Sequence, residues 1–231
     1  MKLYGLQKMT LLDFPGHVAC TVFTGGCNLR CPFCHNALLV TQMDESSIIN
    51  DTEFFEFLQK RKGLLDGVCI TGGEPLMQPD IEEFIKKIKE LGFKVKLDTN
   101  GCFLEKLKSL IDKNLIDFVA VDIKNSKEKY AKTVGLQNFD VLKIEQTVEY
   151  LLSQDKVDFE FRTTVCAPLH EAEDIRKIAE WIKGAKHYYL QNFVDSGNLI
   201  GNDILPLDKE TLNKMLAQAK QIIPTAELRG I

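Results

Sequence analysis

With 231 residues, 45% of them hydrophobic and 27% charged, the chain carries apolar material for one sizeable core or at most two small ones. A formal net charge of -4 and a pI near 5.7 argue against a nucleic-acid surface, which would be strongly basic. The opening residues 1–6 lack the long apolar core of a signal peptide, and no run approaches the length needed to span a bilayer. A cytoplasmic location is therefore expected, with no membrane and no nucleic-acid partner.

In chain order, residues 1–17 read as a short lead-in, with Asp13-Phe14-Pro15-Gly16 marking a turn. The β-branched run from Val18 to Thr24 predicts a strand. It delivers a loop, Gly25 to Asn36, in which Cys27, Cys31 and Cys34 stand in C-x3-C-x2-C spacing. A less patterned region follows, and then Asn50 or Asp51 could cap a helix whose apolar face is Phe54, Phe57 and Leu58. Val68-Cys69-Ile70 predicts a short strand that stops at Thr71-Gly72-Gly73-Glu74-Pro75. Next, Asp80 with Glu83 makes a capping-box pattern, and Ile81, Phe84, Ile85, Ile88 and Leu91 share one helical face.

The alternation continues with a strand from Phe93 to Leu97, a helix through Leu104, Leu107, Leu110 and Ile111, and a strand from Phe118 to Val121. A helix through Ile144, Val148 and Leu151 precedes a long strand from Val157 to Val165. Another helix carries Ile175, Ile178 and Ile182, a sixth strand runs from Tyr188 to Leu190, and Leu212, Met215 and Leu216 define a last helix. Residues 226–228 form a final strand or a tail. Strands alternating with helices imply parallel βαβ units. No repeat, low-complexity segment or linker divides the chain, so a single domain over residues 1–231 is expected. An open doubly wound sheet is the rival architecture, and it would need the strand order to reverse somewhere.

Seven cysteines is an odd count. Cys20 and Cys69 lie in apolar runs and read as small buried hydrophobes, Cys102 and Cys166 lie near predicted strand ends where packing is again the expectation, and no disulfide framework is implied. The three clustered cysteines invite other readings. Cys31 to His35 contains the C-x-x-C-H pattern of haem attachment, which requires export, and Cys31 with Cys34 is a redox-pair spacing that leaves Cys27 unexplained. Structural zinc prefers four ligands in two separated pairs. Iron-sulfur clusters are held by thiolates, usually four. Three in one loop without a fourth would leave one iron of a four-iron cluster open to a substrate.

Polar clusters fall at the C-terminal ends of the predicted strands: the cysteine loop, Gly72-Gly73-Glu74, Asp98-Thr99-Asn100, Asp122 with Lys124, and Gln191-Asn192. Parallel α/β folds build active sites on that face, although turns also collect such residues for local reasons.

The C-x3-C-x2-C loop followed one strand later by Gly72-Gly73-Glu74 resembles the radical S-adenosylmethionine (SAM) enzymes, and the Cys34-His35-Asn36 ending resembles their glycyl-radical-enzyme activases. The resemblance implies a partial (β/α)6 TIM-like barrel. It also implies a 4Fe-4S cluster on Cys27, Cys31 and Cys34, and S-adenosylmethionine bound at the open iron. Gly72, Gly73 and Glu74 would contact the methionyl amino group. Asp98, Thr99, Asp122 and Lys124 match segments that contact the cofactor in the activases, where the two aspartates also help to hold a monovalent cation. Arg162 matches a carboxylate or ribose contact, with pairing to Glu160 as the alternative. Phe33 would pack near the adenine, and His35 would position the loop. Gln191-Asn192-Phe193-Val194 stands where pyruvate formate-lyase activase has a histidine, so no ribose-binding histidine is assigned. The segment between Asn36 and Gly72 carries no ferredoxin-like insert. This short form, with the opening Leu11 to Gly16, resembles the activating proteins of anaerobic ribonucleoside-triphosphate reductase. The implied partners are that glycyl radical enzyme and an electron donor such as flavodoxin or ferredoxin. The alternatives are a radical SAM enzyme acting on a small molecule and a non-enzymatic iron-sulfur electron carrier.

Overall fold

The computed structural model describes residues 1–230. The lead-in holds a strand that the pattern hid: β1 (Leu3–Thr10) pairs antiparallel with β2 (Ala19–Thr24). It is an edge strand, buried only at Leu3 and Thr10, so its sequence lacks the alternation that marks a half-buried strand. The turn between them forms as expected, with His17 N–H donating to the Phe14 carbonyl at 3.1 Å.

The other strands are β3 (Gly67–Gly72), β4 (Lys94–Thr99), β5 (Phe118–Asp122), β6 (Asp158–Val165), β7 (Tyr188–Asn192) and β8 (Glu227–Arg229). They run parallel to β2, and each lies beside its neighbour in sequence. Because the order never reverses, the doubly wound alternative is excluded and the parallel strands form the expected partial barrel. Among the described residues no ladder joins β8 to β1, so the barrel stays open. The strand or tail expected over residues 226–228 is thus a strand, one residue later at Glu227–Arg229.

The helices are α1 (Ala37–Thr41), α2 (Asp51–Gln59), α3 (Ile81–Glu90), α4 (Leu104–Asp112), α5 (Tyr130–Thr133), α6 (Leu142–Ser153), α7 (Ala172–Trp181) and α8 (Lys209–Lys220). Asn50 caps α2 by accepting from Glu53 N–H at 2.9 Å. Asp80 does not close a capping box on α3: its carboxylate lies 3.0 Å from the N-terminal ammonium, a charged partner that outcompetes a backbone amide. Among the described residues no helix is long and apolar enough to cross a membrane.

The two faces of the sheet differ. Val95, Leu97, Val119 and Val121 join Phe84, Ile85, Ile88, Leu107 and Leu110 in one apolar cluster, which is the layer between strands and helices. Alternation turns Lys96 and Asp98 the other way, into the barrel. There Arg162 on β6 reaches Asp98 on β4, and Arg229 on β8 reaches Glu160 on β6. The barrel interior is therefore filled partly by ion pairs.

Candidate active site

The cysteine loop is built by its own backbone and by distant supports. Cys34 N–H donates to the Cys31 carbonyl at 3.1 Å, and the Arg30 guanidinium donates to the carbonyls of Cys27 and Leu29 at 2.7 and 2.8 Å. Arg30 N–H donates to the Val134 carbonyl at 2.9 Å, and Gly201 N–H to the Pro32 carbonyl at 2.9 Å. The segment after β7 thus straps the loop down. Val194 N–H also donates to His35 Nε2 at 3.4 Å, and His35 stacks on Phe193. Both contacts tie His35, which also lines the cavity described below, to the segment after β7.

β3 closes against the loop from the other side. Gly73 N–H donates to the Thr24 carbonyl and Glu74 N–H to the Gly26 carbonyl, each at 2.8 Å. A Cβ on Gly73 would meet the Gly26 carbonyl oxygen at 1.9 Å, and Gly72 has φ +115°. Glycine is required at both positions by close approach and backbone shape. Gly73→Ala must push the backbone of the cysteine loop aside, so it should destabilise by about 1–3 kcal/mol as an overpacked site does and lower the iron bound after reconstitution. An unchanged melting curve with full iron content would show that the contact is not rigid.

One cavity of about 220 Å³ gathers the expected site. Cys27, Cys31, Cys34 and Phe33 line it together with Gly72 and Gly73. Asp98, Thr99, Asp122, Lys124 and Arg162 form the rest of the wall contributed by expected residues. Glu74 is the exception: it is fully buried behind the wall. Its carboxylate accepts from Leu76 N–H at 3.0 Å, Thr99 Oγ1 at 2.8 Å and Asn100 N–H at 2.7 Å. Burial pushes it up to about 7, opposed by those three bonds.

The charged wall is a chain of ion pairs. Arg162 donates to Asp122 at 2.9 Å and to Asp98 at 3.0 Å; Lys124 pairs with the other oxygen of Asp122 at 3.0 Å and Lys96 with the other oxygen of Asp98. Burial alone would raise both carboxyl groups, but Arg162 with Lys124 or Lys96 holds each below the usual range. Three cations face two carboxylates, which leaves one positive charge in excess. The resemblance put a monovalent cation beside these aspartates; the guanidinium of Arg162 bridges them in the structure. Glu160 is likewise not the main partner of Arg162: the two are 3.9 Å apart, while Arg229 takes both oxygens of Glu160 at 2.9 Å.

Lys96 and His170 were not singled out from sequence. Lys96, 1% exposed, is two residues before Asp98, so period-two alternation could have found it. His170 is buried, meets Phe33 edge-on, and bonds through Nε2 to the Lys124 carbonyl at 2.8 Å. It follows β6 in a loop, where no periodicity points to it.

The donor set can be tested against the group it would hold. All three clustered cysteines are free thiols. Burial pushes Cys31 up to about 12 against the pull of the Lys124 ammonium, and also raises Cys27 and Cys34. Among the described residues no three His, Cys, Asp or Glu side chains are grouped to share a single metal ion. The three thiols line one cavity, and three thiolates without a fourth suit an iron-sulfur cluster better than structural zinc, which takes four ligands. Cys20 and Cys69 are fully buried in strands, as expected of packing residues, and Cys166 is buried too. Cys102 is half-buried, and its backbone N–H donates to Asn100 Oδ1 at 3.0 Å.

The Radical SAM superfamily matches residues 21–182. The chain is 32% identical, over 98% of its length and 95% of the relative's, to "Putative glycyl-radical enzyme activating enzyme MJ1227" of Methanocaldococcus jannaschii. It is 26% identical to the pyruvate formate-lyase-activating enzyme of Clostridium pasteurianum, covering 96% of this chain and 98% of that one. Streptococcus suis SuiB, solved bound to S-adenosylmethionine, shares the fold with a TM-score of 0.71 at 16% identity. That match covers 90% of this chain but 49% of SuiB, so the chain spans about half the length of that structure. Radical SAM enzymes use a 4Fe-4S cluster and S-adenosylmethionine, and the three thiols beside an ion-paired wall fit that pair. With a matching domain, a matching barrel and these residues in one cavity, the chain belongs to the radical SAM superfamily, alongside proteins named as glycyl-radical enzyme activating enzymes.

Proposed function

We propose that this chain, acting as a single domain, activates a glycyl radical enzyme, and that its partner is an anaerobic ribonucleoside-triphosphate reductase. The observation that carries the activase reading is the match along nearly the whole of both chains to the Methanocaldococcus jannaschii protein. The choice of reductase rests on the short form: between Asn36 and β3 lie only α1, α2 and a short turn of helix, with no cysteine before Cys69. When bound, the cluster and cofactor supply a 5'-deoxyadenosyl radical by one-electron cleavage of S-adenosylmethionine, and a backbone glycine of the partner gives up the hydrogen atom.

The chain's own residues do the rest. Cys27, Cys31 and Cys34 hold the cluster. Gly72 and Gly73 let the backbone approach the methionyl end of S-adenosylmethionine, and the surplus positive charge of Lys124 and Arg162 draws its carboxylate. Thr99 and Asp98 supply hydrogen-bonding partners on the adjacent strand. Phe33, buried and lining the cavity, gives the adenine an apolar face. Electrons come from a flavodoxin or a ferredoxin.

The test is release of 5'-deoxyadenosine by the reduced protein with and without a co-encoded glycyl radical enzyme, alongside the electron paramagnetic resonance spectrum of that partner. Slow release alone, faster release with the reductase, and a glycyl signal on it are the expected results. Fast release driven by a small metabolite, with no protein radical, would favour the small-molecule reading. No release at all from the reduced, loaded protein would favour a simple electron carrier.

A further inference from the structure

Asn100 closes β4 and is 6% exposed. Its backbone N–H donates to Glu74 Oε2 at 2.7 Å, and its side-chain Oδ1 accepts from Cys102 N–H at 3.0 Å. With Oδ1 committed to a backbone donor, the amide has one orientation and its NH2 group faces the cysteine loop. There Nδ2 donates to Asn28 Oδ1 at 2.7 Å and to Cys27 Sγ at 3.7 Å. Cys27 Sγ also accepts from Leu29 N–H at 3.4 Å. Among the described residues, Asn100 is the one side chain whose N–H is hydrogen-bonded to any of the three clustered sulfurs.

We propose that Asn100 is a positioning residue that raises the reduction potential of the cluster through its N–H···S bond to Cys27, with Glu74 bracing the backbone that presents it. Hydrogen bonds to ligand sulfurs are one of the determinants of cluster potential. A donor aimed at a thiolate stabilises the extra electron density of the reduced state, so removing it makes reduction harder. This gives Glu74 a use that its position behind the cavity wall allows: its three hydrogen bonds tie Leu76, Thr99 and Asn100 into one block. The inference rests on the reading that Cys27, Cys31 and Cys34 hold the cluster, and the experiment separates the two.

Wild type, Asn100→Asp, Asn100→Leu and Asn28→Ala would be reconstituted anaerobically, assayed for iron and sulfide, and titrated with a reductant of set potential. The reduced fraction is read from the paramagnetic signal of the loaded cluster, so partial loading does not obscure it. Asn100→Asp keeps the acceptor for Cys102 N–H and loses the donor; Asn100→Leu loses both without adding charge. Each should lower the ratio of reduced to oxidised cluster at fixed potential by about tenfold, equivalent to 59 mV for one electron. Asn28→Ala removes the acceptor that Asn100 Nδ2 meets at 2.7 Å and Cys27 Sγ meets at 3.9 Å but keeps the Asn100 amide held by Cys102 N–H, and should leave that ratio within about twofold of wild type, by the same relation. Unchanged ratios in both Asn100 variants would overturn the proposal, and so would an equal fall in Asn28→Ala, which would mark a general loosening of the loop. A wild type that takes up no cluster would instead remove the reading beneath it.

Discussion

Cys31→Ala is expected to leave a folded protein that no longer retains its cluster after anaerobic reconstitution. Cys31 is the most buried of the three thiols, at 7% exposure, with the Lys124 ammonium as its strongest opposing charge. Without it only two of the clustered thiols line the cavity. Changes outside the ligand set already cost 10–100-fold in metal affinity, so loss of a ligand should lower bound iron and sulfide at least about tenfold. Far-ultraviolet circular dichroism should be unchanged, because the residue sits in a loop. Full iron retention in the variant, or stoichiometric zinc in the wild type, would sink the cluster assignment.

Arg162→Leu should produce the largest loss of stability. The guanidinium bridges Asp98 and Asp122 across β4, β5 and β6, and is only 13% exposed. Removing one member of a buried pair typically costs 3–5 kcal/mol; here Lys96 and Lys124 remain, so about 3 kcal/mol is expected. For a chain of this size that is a fall in melting temperature of roughly 6–12 °C. The pH dependence has a definite sign. Both carboxyl groups are held below the usual value of 3.8 in the folded state, so their contribution is present above the unfolded value and is lost as pH falls through the folded ones. Without Arg162 the folded values rise, and acid unfolding should begin at a higher pH. Arg162→Lys should recover only part of the loss, since one ammonium cannot bridge both carboxylates as the planar fork does. A variant as stable as wild type in acid and at neutral pH would show that the network contributes little.

The parts legible in the sequence were those whose partners are local. The strands from β2 to β7 announce themselves by apolar runs that stop at Gly, Asp or Asn, and the cysteine loop could be matched to a family by its resemblance. β1 was missed because an edge strand with two half-open faces has no alternation to read. The partners of Arg162 were missed for a different reason. Proximity in sequence favours Glu160, two residues away, but register sets Arg162 opposite Asp122, 40 residues distant. Glu160 turns instead to Arg229, 69 residues on. Glu74 could be recognised by its glycines, yet nothing in the motif shows that its carboxylate would be spent on Leu76, Thr99 and Asn100. Asp80 lost its capping role to the chain's own N-terminal ammonium, a competitor that propensity rules do not include.

The strap from the segment after β7 onto the cysteine loop has a consequence for biosynthesis. His35 and Val194, which it joins, are 159 residues apart. At roughly 5–20 residues per second of synthesis, the three thiols leave the ribosome about 8–30 s before their last supports exist. During that interval the loop is held by neither Gly201 nor Val194, and its cysteines are open to oxidation and to stray metals. Iron delivery is therefore best timed to follow completion of the chain, and a truncated or stalled nascent chain would present the thiols without the frame that arranges them.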